Sequence, residues 1–225
     1  FFLTGERVME CGDASGTGML DIHRRSWHGG MLAAVDADRD LGRALPPLVE
    51  SGSKIGQLRS NVASALGLPR GIPVASGGGD NMMAAIGTGN IRAGRMTVSL
   101  GTSGTLFASA DKPVIDPQGA LAAFCSSTGG WLPLLCTMNG TVATELTRHL
   151  FALDIAQLEH QAAAVPAGSH GVMTLPFFNG ERTPNLPRGK GCIMGLDDRN
   201  YTSGNLLRSA MEAVVYGLRS ELERF

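Results

Sequence analysis

The stretch Ile72-Pro73-Val74-Ala75-Ser76-Gly77-Gly78-Gly79-Asp80-Asn81-Met82-Met83-Ala84-Ala85-Ile86 sets the frame for the rest of the chain. Its opening apolar run reads as a buried strand, its three glycines as a sharp turn, and Met82–Ile86 as a helix entered through an acid. Downstream, Gly101-Thr102-Ser103-Gly104 lies between the segments Met96–Leu100 and Thr105–Ser109. Apolar or alternating runs around such a turn predict a β-hairpin. A strand–turn–helix in one half and hairpins followed by helices in the other indicate an α/β fold with mixed sheets.

Working outward, residues 1–10 read as the end of a helix broken by Gly5, and Asp13–Gly18 as a turn. Trp27–Leu48 reads as helix and loop, stopped by Pro46-Pro47. Ile55–Leu58 predicts a short strand, and Asn61–Leu66 a helix ended by Gly67 with Pro69 beyond. Gly87–Arg95 is loop-like, and a domain boundary near residue 94 is expected there, dividing 1–94 from 95–225. Ala120–Ser126 and Trp131–Thr137 predict strands, Thr141–Phe151 and Asp154–Ala164 helices, and Val172–Leu175 a strand. A last helix from Ser203 carries Met211, Val214, Val215, Leu218, Leu222 and Phe225 as one apolar stripe.

The chain has 225 residues, 43% of them hydrophobic, enough to bury a sizeable core. Its 31 glycines are about double the ordinary share and cluster at turns. A formal net charge of −1 provides no field for nucleic acid or a membrane surface. No apolar run approaches the ~18 residues of a membrane span, and no signal-peptide pattern opens the chain. Cys11, Cys125, Cys136 and Cys192 show no metal-binding spacing. Buried or half-buried reduced thiols in a cytoplasmic protein are expected. The opening Phe1-Phe2-Leu3 and the helical pattern still running at Phe225 suggest an internal piece of a longer chain.

Several residues carry chemistry. Asp80 is either an acid capping a helix or a carboxylate that takes a proton from an attacking hydroxyl. The triple glycine favours the second, since close approach of a substrate to backbone asks for such a run and a cap does not. Asn81 either satisfies local backbone or presents its amide to a polyhydroxyl substrate. Gly101-Thr102-Ser103-Gly104 is either an ordinary hairpin loop or a nest of N–H and hydroxyl donors for phosphate. Glu181-Arg182 reads as a local ion pair or a loop-fixing pair, with substrate support as the lesser alternative. No Walker loop, GxGxxG fingerprint or GxSxG elbow is present. His23, His28, His149, His160 and His170 are too scattered to suggest a metal site.

Together these segments resemble the FGGY family of carbohydrate kinases. Leu3-Thr4-Gly5-Glu6, Asp13-Ala14-Ser15-Gly16-Thr17 with Leu20-Asp21, Gly77–Asn81 and Ser99–Gly104 occur in the family's order. Leu175-Pro176-Phe177-Phe178-Asn179-Gly180-Glu181-Arg182-Thr183-Pro184 is similar to its LP-x-x-x-GERTP block. The most specific match is Gly191-Cys192-Ile193-Met194-Gly195-Leu196, followed after eight residues by Asn205-Leu206 and Ser209-Ala210-Met211-Glu212. The resemblance covers nearly all of the chain but only about the middle of a member roughly twice as long.

The resemblance implies an actin-like, ribonuclease H-like ATPase fold in two domains. Residues 1–94 would be the end of the sugar-binding domain and 95–225 the start of the nucleotide-binding one. It implies ATP-dependent phosphorylation of a sugar hydroxyl, with Asp80 as general base that also helps hold Mg²⁺ through water. Asn81 and Gly79 fall at substrate-contacting positions, and Gly101, Thr102, Ser103 and Gly104 on the hairpin that grips the ATP phosphates. Asp-Asn in the base motif and the GERTP block favour a ketopentose, D-xylulose at O5, over glycerol. Gluconate and ribulose are the alternatives, as is a non-catalytic nucleotide-binding relative, and a homodimer is compatible. The family's N-terminal Asp-Gly-Thr hairpin, its Met-His sugar segment and its later Gly-Gly-Gly adenosine segment have no counterpart here. Asn139-Gly140-Thr141-Val142-Ala143 stands where members often show Ser-Ala-Gly-Gly near the nucleotide. By itself this stretch is therefore expected to be inactive.

Overall fold

The computed structural model describes residues 1–225, which divide into two compact units. The first holds Phe1–Thr97, Phe107–Ile115 and Ala122–Leu134; the second holds Val98–Leu106, Asp116–Leu121 and Leu135–Phe225. No helix is long and apolar enough to cross a membrane.

In the first unit, β1 (Met9–Glu10) runs directly into α1 (Cys11–Ser15). The junction is Glu10, an N-cap only 5% exposed, whose carboxylate accepts from the N–H groups of Gly12 at 2.8 Å and Asp13 at 3.0 Å. Two sequence expectations are corrected here. Residues 1–8 form turns and irregular backbone rather than the end of a helix, and Asp13 to Ser15 are helical rather than part of a turn. The cause is that single cap: a buried glutamate supplies the acceptors that start a helix where Gly12 and Ser15 lower its intrinsic propensity.

Further along, β2 (Leu20–Asp21) pairs antiparallel with β3 (Ser26–Trp27), and α2 (Gly29–Val35) follows, capped by His28 Nδ1 on the Met31 N–H at 3.1 Å. Next, β4 (Leu48–Val49) pairs parallel with β1, with Met9 opposite Leu48. The antiparallel pair β5 (Lys54–Gln57) and β6 (Pro73–Ala75) encloses α3 (Ser60–Ala65) in sequence. Leu58, Val62 and Ala63 form a small core with Ile72 and Val74 against it. Thus β6 is not a buried strand: Val74 points inward while Pro73 and Ala75 are exposed. A two-stranded ribbon with one face covered buries only alternate residues. After β6 the glycine turn leads into α4 (Asp80–Gly87).

A four-stranded sheet is ordered β7 (Met96–Leu100), β8 (Gly104–Ala108), β10 (Trp131–Cys136), β9 (Ala122–Cys125). The expected hairpin is β7–β8. Strand β9 pairs antiparallel with β10, with Phe124 opposite Leu132.

The second unit continues with α5 (Val142–Leu150) and α6 (Ile155–Ala163). A reciprocal box starts α6: Asp154 Oδ1 accepts the Gln157 N–H at 2.8 Å, and Gln157 Oε1 accepts the Asp154 N–H at 2.9 Å. Then β11 (Met173–Leu175) pairs antiparallel with β12 (Cys192–Met194), and α7 (Ser203–Ser220) packs on α5, α6 and β11. Leu158, Ala162 and Leu207 are buried together, with Leu153 against them. The apolar stripe expected on α7 is corrected. Leu206, Leu207, Ala210, Ala213, Val214 and Leu218 are buried, while Met211 and Val215 are exposed at 40% and 52%. Its apolar arc is broader than that stripe: the side toward α5, α6 and β11, including Val214 and Leu218, is covered, and Met211 and Val215 form its exposed margin. Leu222 and Phe225 lie beyond Ser220, where the helix ends.

Candidate active site

Asp80 is delivered by the turn before α4. Gly77 has φ 74°, a left-handed conformation that glycine adopts freely. At Gly78 a side chain would run into Ser127 Oγ and stand 2.6 Å from Met83 Cε; at Gly79 it would stand 2.9 Å from Met82 Sδ. Met83 Cε, Met82 Sδ and Ser127 Oγ are movable side-chain ends, so of the three only Gly77 is fixed as glycine by its own conformation.

Gly79, not Asp80, is the N-cap of α4, and no side chain caps the helix. Asp80 Oδ1 accepts the N–H of Asn81 at 2.7 Å and its Nδ2 at 3.1 Å. Asp80 is exposed, and its Oδ2 takes part in no hydrogen bond. One oxygen fixes the carboxylate and the other is free to accept a proton. Asn81 spends an amide donor on this anchoring and keeps its Oδ1 and second amide hydrogen. Two neighbours of the turn had no sequence signal. The backbone of Asp13 lies 3.9 Å from the position a Gly79 Cβ would take, and Ser127 Oγ, behind Gly78, is the buried side-chain polar atom without a hydrogen-bond partner.

Gly101, Thr102, Ser103 and Gly104 belong to the second unit. The Gly101 N–H donates to Ser103 O at 3.0 Å, and the Gly104 N–H to Thr137 Oγ1 at 3.0 Å. Thr102 and Ser103 are exposed, and their N–H and hydroxyl groups are the tip's free donors. Gly104 is held by packing, since a Cβ would stand 2.8 Å from Thr137 Oγ1 and 3.4 Å from Leu218. Gly101 differs: its φ is not left-handed, and a Cβ would meet nothing closer than Ser103 O at 3.7 Å. Nothing in the chain demands glycine there, so the open space beside Gly101 suits a phosphate lying against backbone.

Glu181 is 3% exposed, and its partners are backbone and amide N–H groups rather than the Arg182 guanidinium. The loop-fixing alternative therefore holds over the ion pair. No cluster of three or more His, Cys, Asp or Glu is placed to hold a metal ion. Asp80 fits Mg²⁺ only in the way that ion is commonly held, by one or two carboxylates, water and substrate phosphates.

The sequence pattern described as the FGGY family of carbohydrate kinases, N-terminal domain, matches residues 1–87, and that of the family's C-terminal domain matches residues 96–225. The chain belongs to the FGGY family of carbohydrate kinases. Among FGGY relatives, the xylulose kinase of Haemophilus influenzae is 44% identical over 225 residues, all of this chain and 46% of that protein. The xylulose kinase of Streptomyces rubiginosus is 41% identical over 98% of this chain and 43% of its own length. The crystal structure of a xylulose kinase from Brucella ovis is 31% identical with a TM-score of 0.89, over 99% of this chain and 46% of that one. This FGGY chain thus spans less than half the length of the relatives it matches, and its α/β fold is the family's actin-like one.

Proposed function

We propose that the full-length protein transfers the γ-phosphoryl group of ATP to a ketopentose, D-xylulose at O5, with Asp80 as general base. The end-to-end match to xylulose kinases carries the substrate class, and the half-anchored, half-free carboxylate of Asp80 supports the role. In this reading Asp80 accepts the hydroxyl proton, while Asn81 holds the carboxylate and, with Gly79, borders the sugar. Gly101, Thr102, Ser103 and Gly104 lie along the ATP phosphates. Phosphoryl transfer is largely positioning and charge neutralisation, which free donors at Thr102 and Ser103 can supply. Mg²⁺, met through water at Asp80, would neutralise phosphate charge. We place the domain boundary near residue 94, in the segment 88–95 that neither family pattern covers, and assign a cytoplasmic setting.

The test is Asp80→Ala in the full-length protein. A lost general base should cut kcat by about a hundredfold or more, with the thermal midpoint nearly unchanged because the side chain is exposed. Retention of most of the rate would remove Asp80 from the reaction.

A further inference from the structure

The tip of the β7–β8 hairpin hangs on residues 137–141. Thr102 O accepts the Gly140 N–H at 2.7 Å, and Gly101 O accepts the Thr141 N–H at 2.8 Å. Gly104 exchanges two bonds with Thr137, its N–H to Oγ1 at 3.0 Å and its O from the Thr137 N–H at 2.8 Å. Gly140 is pressed onto the tip, where a Cβ would overlap Gly101 O and stand 2.6 Å from Ser103 C. Any movement of 137–141 therefore moves the tip.

What holds 137–141 is a buried carboxylate. Glu181 Oε1 accepts the Met138 N–H and the Arg182 N–H, the latter at 2.8 Å, and Oε2 accepts Asn139 Nδ2 at 3.0 Å. Asn139, 1% exposed, also donates to Gly180 O at 2.6 Å. Thr183 Oγ1 ties the same loop to Cys136 O at 3.1 Å. All of these residues lie in the second unit. Burying a charge without a cationic partner is costly unless donors surround it. Here donors meet both oxygens, so a neutral amide would turn an N–H against an N–H on one side.

We propose that Glu181 is a positioning residue for nucleotide binding: its carboxylate sets the 137–140 turn and, through it, the tip Gly101–Gly104. The proposal rests on the reading of that tip as the phosphate hairpin. Glu181 touches no substrate, and its effect falls on ATP and not on the sugar.

The experiment compares Glu181→Gln and Gly101→Val in the full-length protein, measuring KM for ATP and for xylulose separately. Glu181→Gln should raise the ATP KM about tenfold, as expected for loss of charged hydrogen bonds, and leave the sugar KM within about twofold. Hydrogen exchange of the Gly140 and Thr141 amides should quicken while the α7 amides keep their protection. An unchanged ATP KM in folded Glu181→Gln, or equal rises for both substrates, would overturn the proposal. Gly101→Val separates the two ideas. If it raises the ATP KM and Glu181→Gln does not, only the role of Glu181 is lost; if neither does, the hairpin reading fails. Should Glu181→Gln not fold, Glu181→Asp is read by the same measures. Failure of both to fold makes Glu181 a folding residue and overturns the proposal.

Discussion

Asp80 shares its Oδ1 with two donors of Asn81 and leaves Oδ2 without a hydrogen-bond partner. Taken without its neighbours in the sequence, this acid is balanced between helix start and base, because a first-turn aspartate serves either purpose, and the glycine run tilts the reading to a base. Of the glycines before it, Gly77 is accounted for by its left-handed conformation, while the atoms nearest a Cβ at Gly78 and Gly79 are movable ends of the Ser127, Met83 and Met82 side chains. The cysteines give a residue-scale prediction. Burial, reinforced by Glu50, pushes the Cys11 thiol up to about 11, and burial raises Cys125 as well. Cys192, read from sequence as at least half-buried, is exposed on β12. Iodoacetamide at neutral pH should therefore modify Cys192 in the folded protein and reach Cys11 and Cys125 only on unfolding, as followed by peptide mass spectrometry. Labelling of Cys11 as fast as Cys192 would contradict its burial.

At the scale of elements, legibility followed whether the signal was local. The β7–β8 hairpin and α6 could be read because their turn and cap lie within a few residues, Gly101–Gly104 for one and Asp154 with Gln157 for the other. The buried face of α7 could not, because its partners α5, α6 and β11 decide how much of one broad apolar arc is covered. Glu212 on that helix shows another long-range tie. It accepts the Gly168 N–H at 3.1 Å, the Ser169 hydroxyl at 3.2 Å and Arg208 Nε at 2.7 Å. These hold a run, Gly168 to Gly171, in which all four residues have positive φ, a conformation costly for Ser169 and His170. Burial works to raise the Glu212 pKa, but the bonds from Arg208, Gly168 and Ser169 prevail and hold it low. A carboxylate lowered on folding adds stability above its unfolded pKa, and that contribution is lost as pH falls through the folded value. Glu212→Gln should therefore lower the thermal midpoint at neutral pH, with the deficit shrinking below about pH 4. Thermal denaturation across that range checks this; a deficit independent of pH would contradict it.

For the whole molecule, the family motifs carried more than periodicity could. Strand and helix patterns alone reach an α/β chain with a glycine turn and a hairpin, and stop there. The GERTP block and the Gly191–Glu212 signature extend that to the carbohydrate kinase family. Their own structural work is partly to brace the hairpin and the left-handed run, through Glu181 and Glu212. We propose a full-length kinase acting on a ketopentose. Its most direct test is ADP release by the full-length protein, measured with xylulose, ribulose, gluconate and glycerol in turn. The expected result is the highest kcat/KM with xylulose, abolished by Asp80→Ala; ADP release that no sugar stimulates, or that persists undiminished in Asp80→Ala, would contradict it.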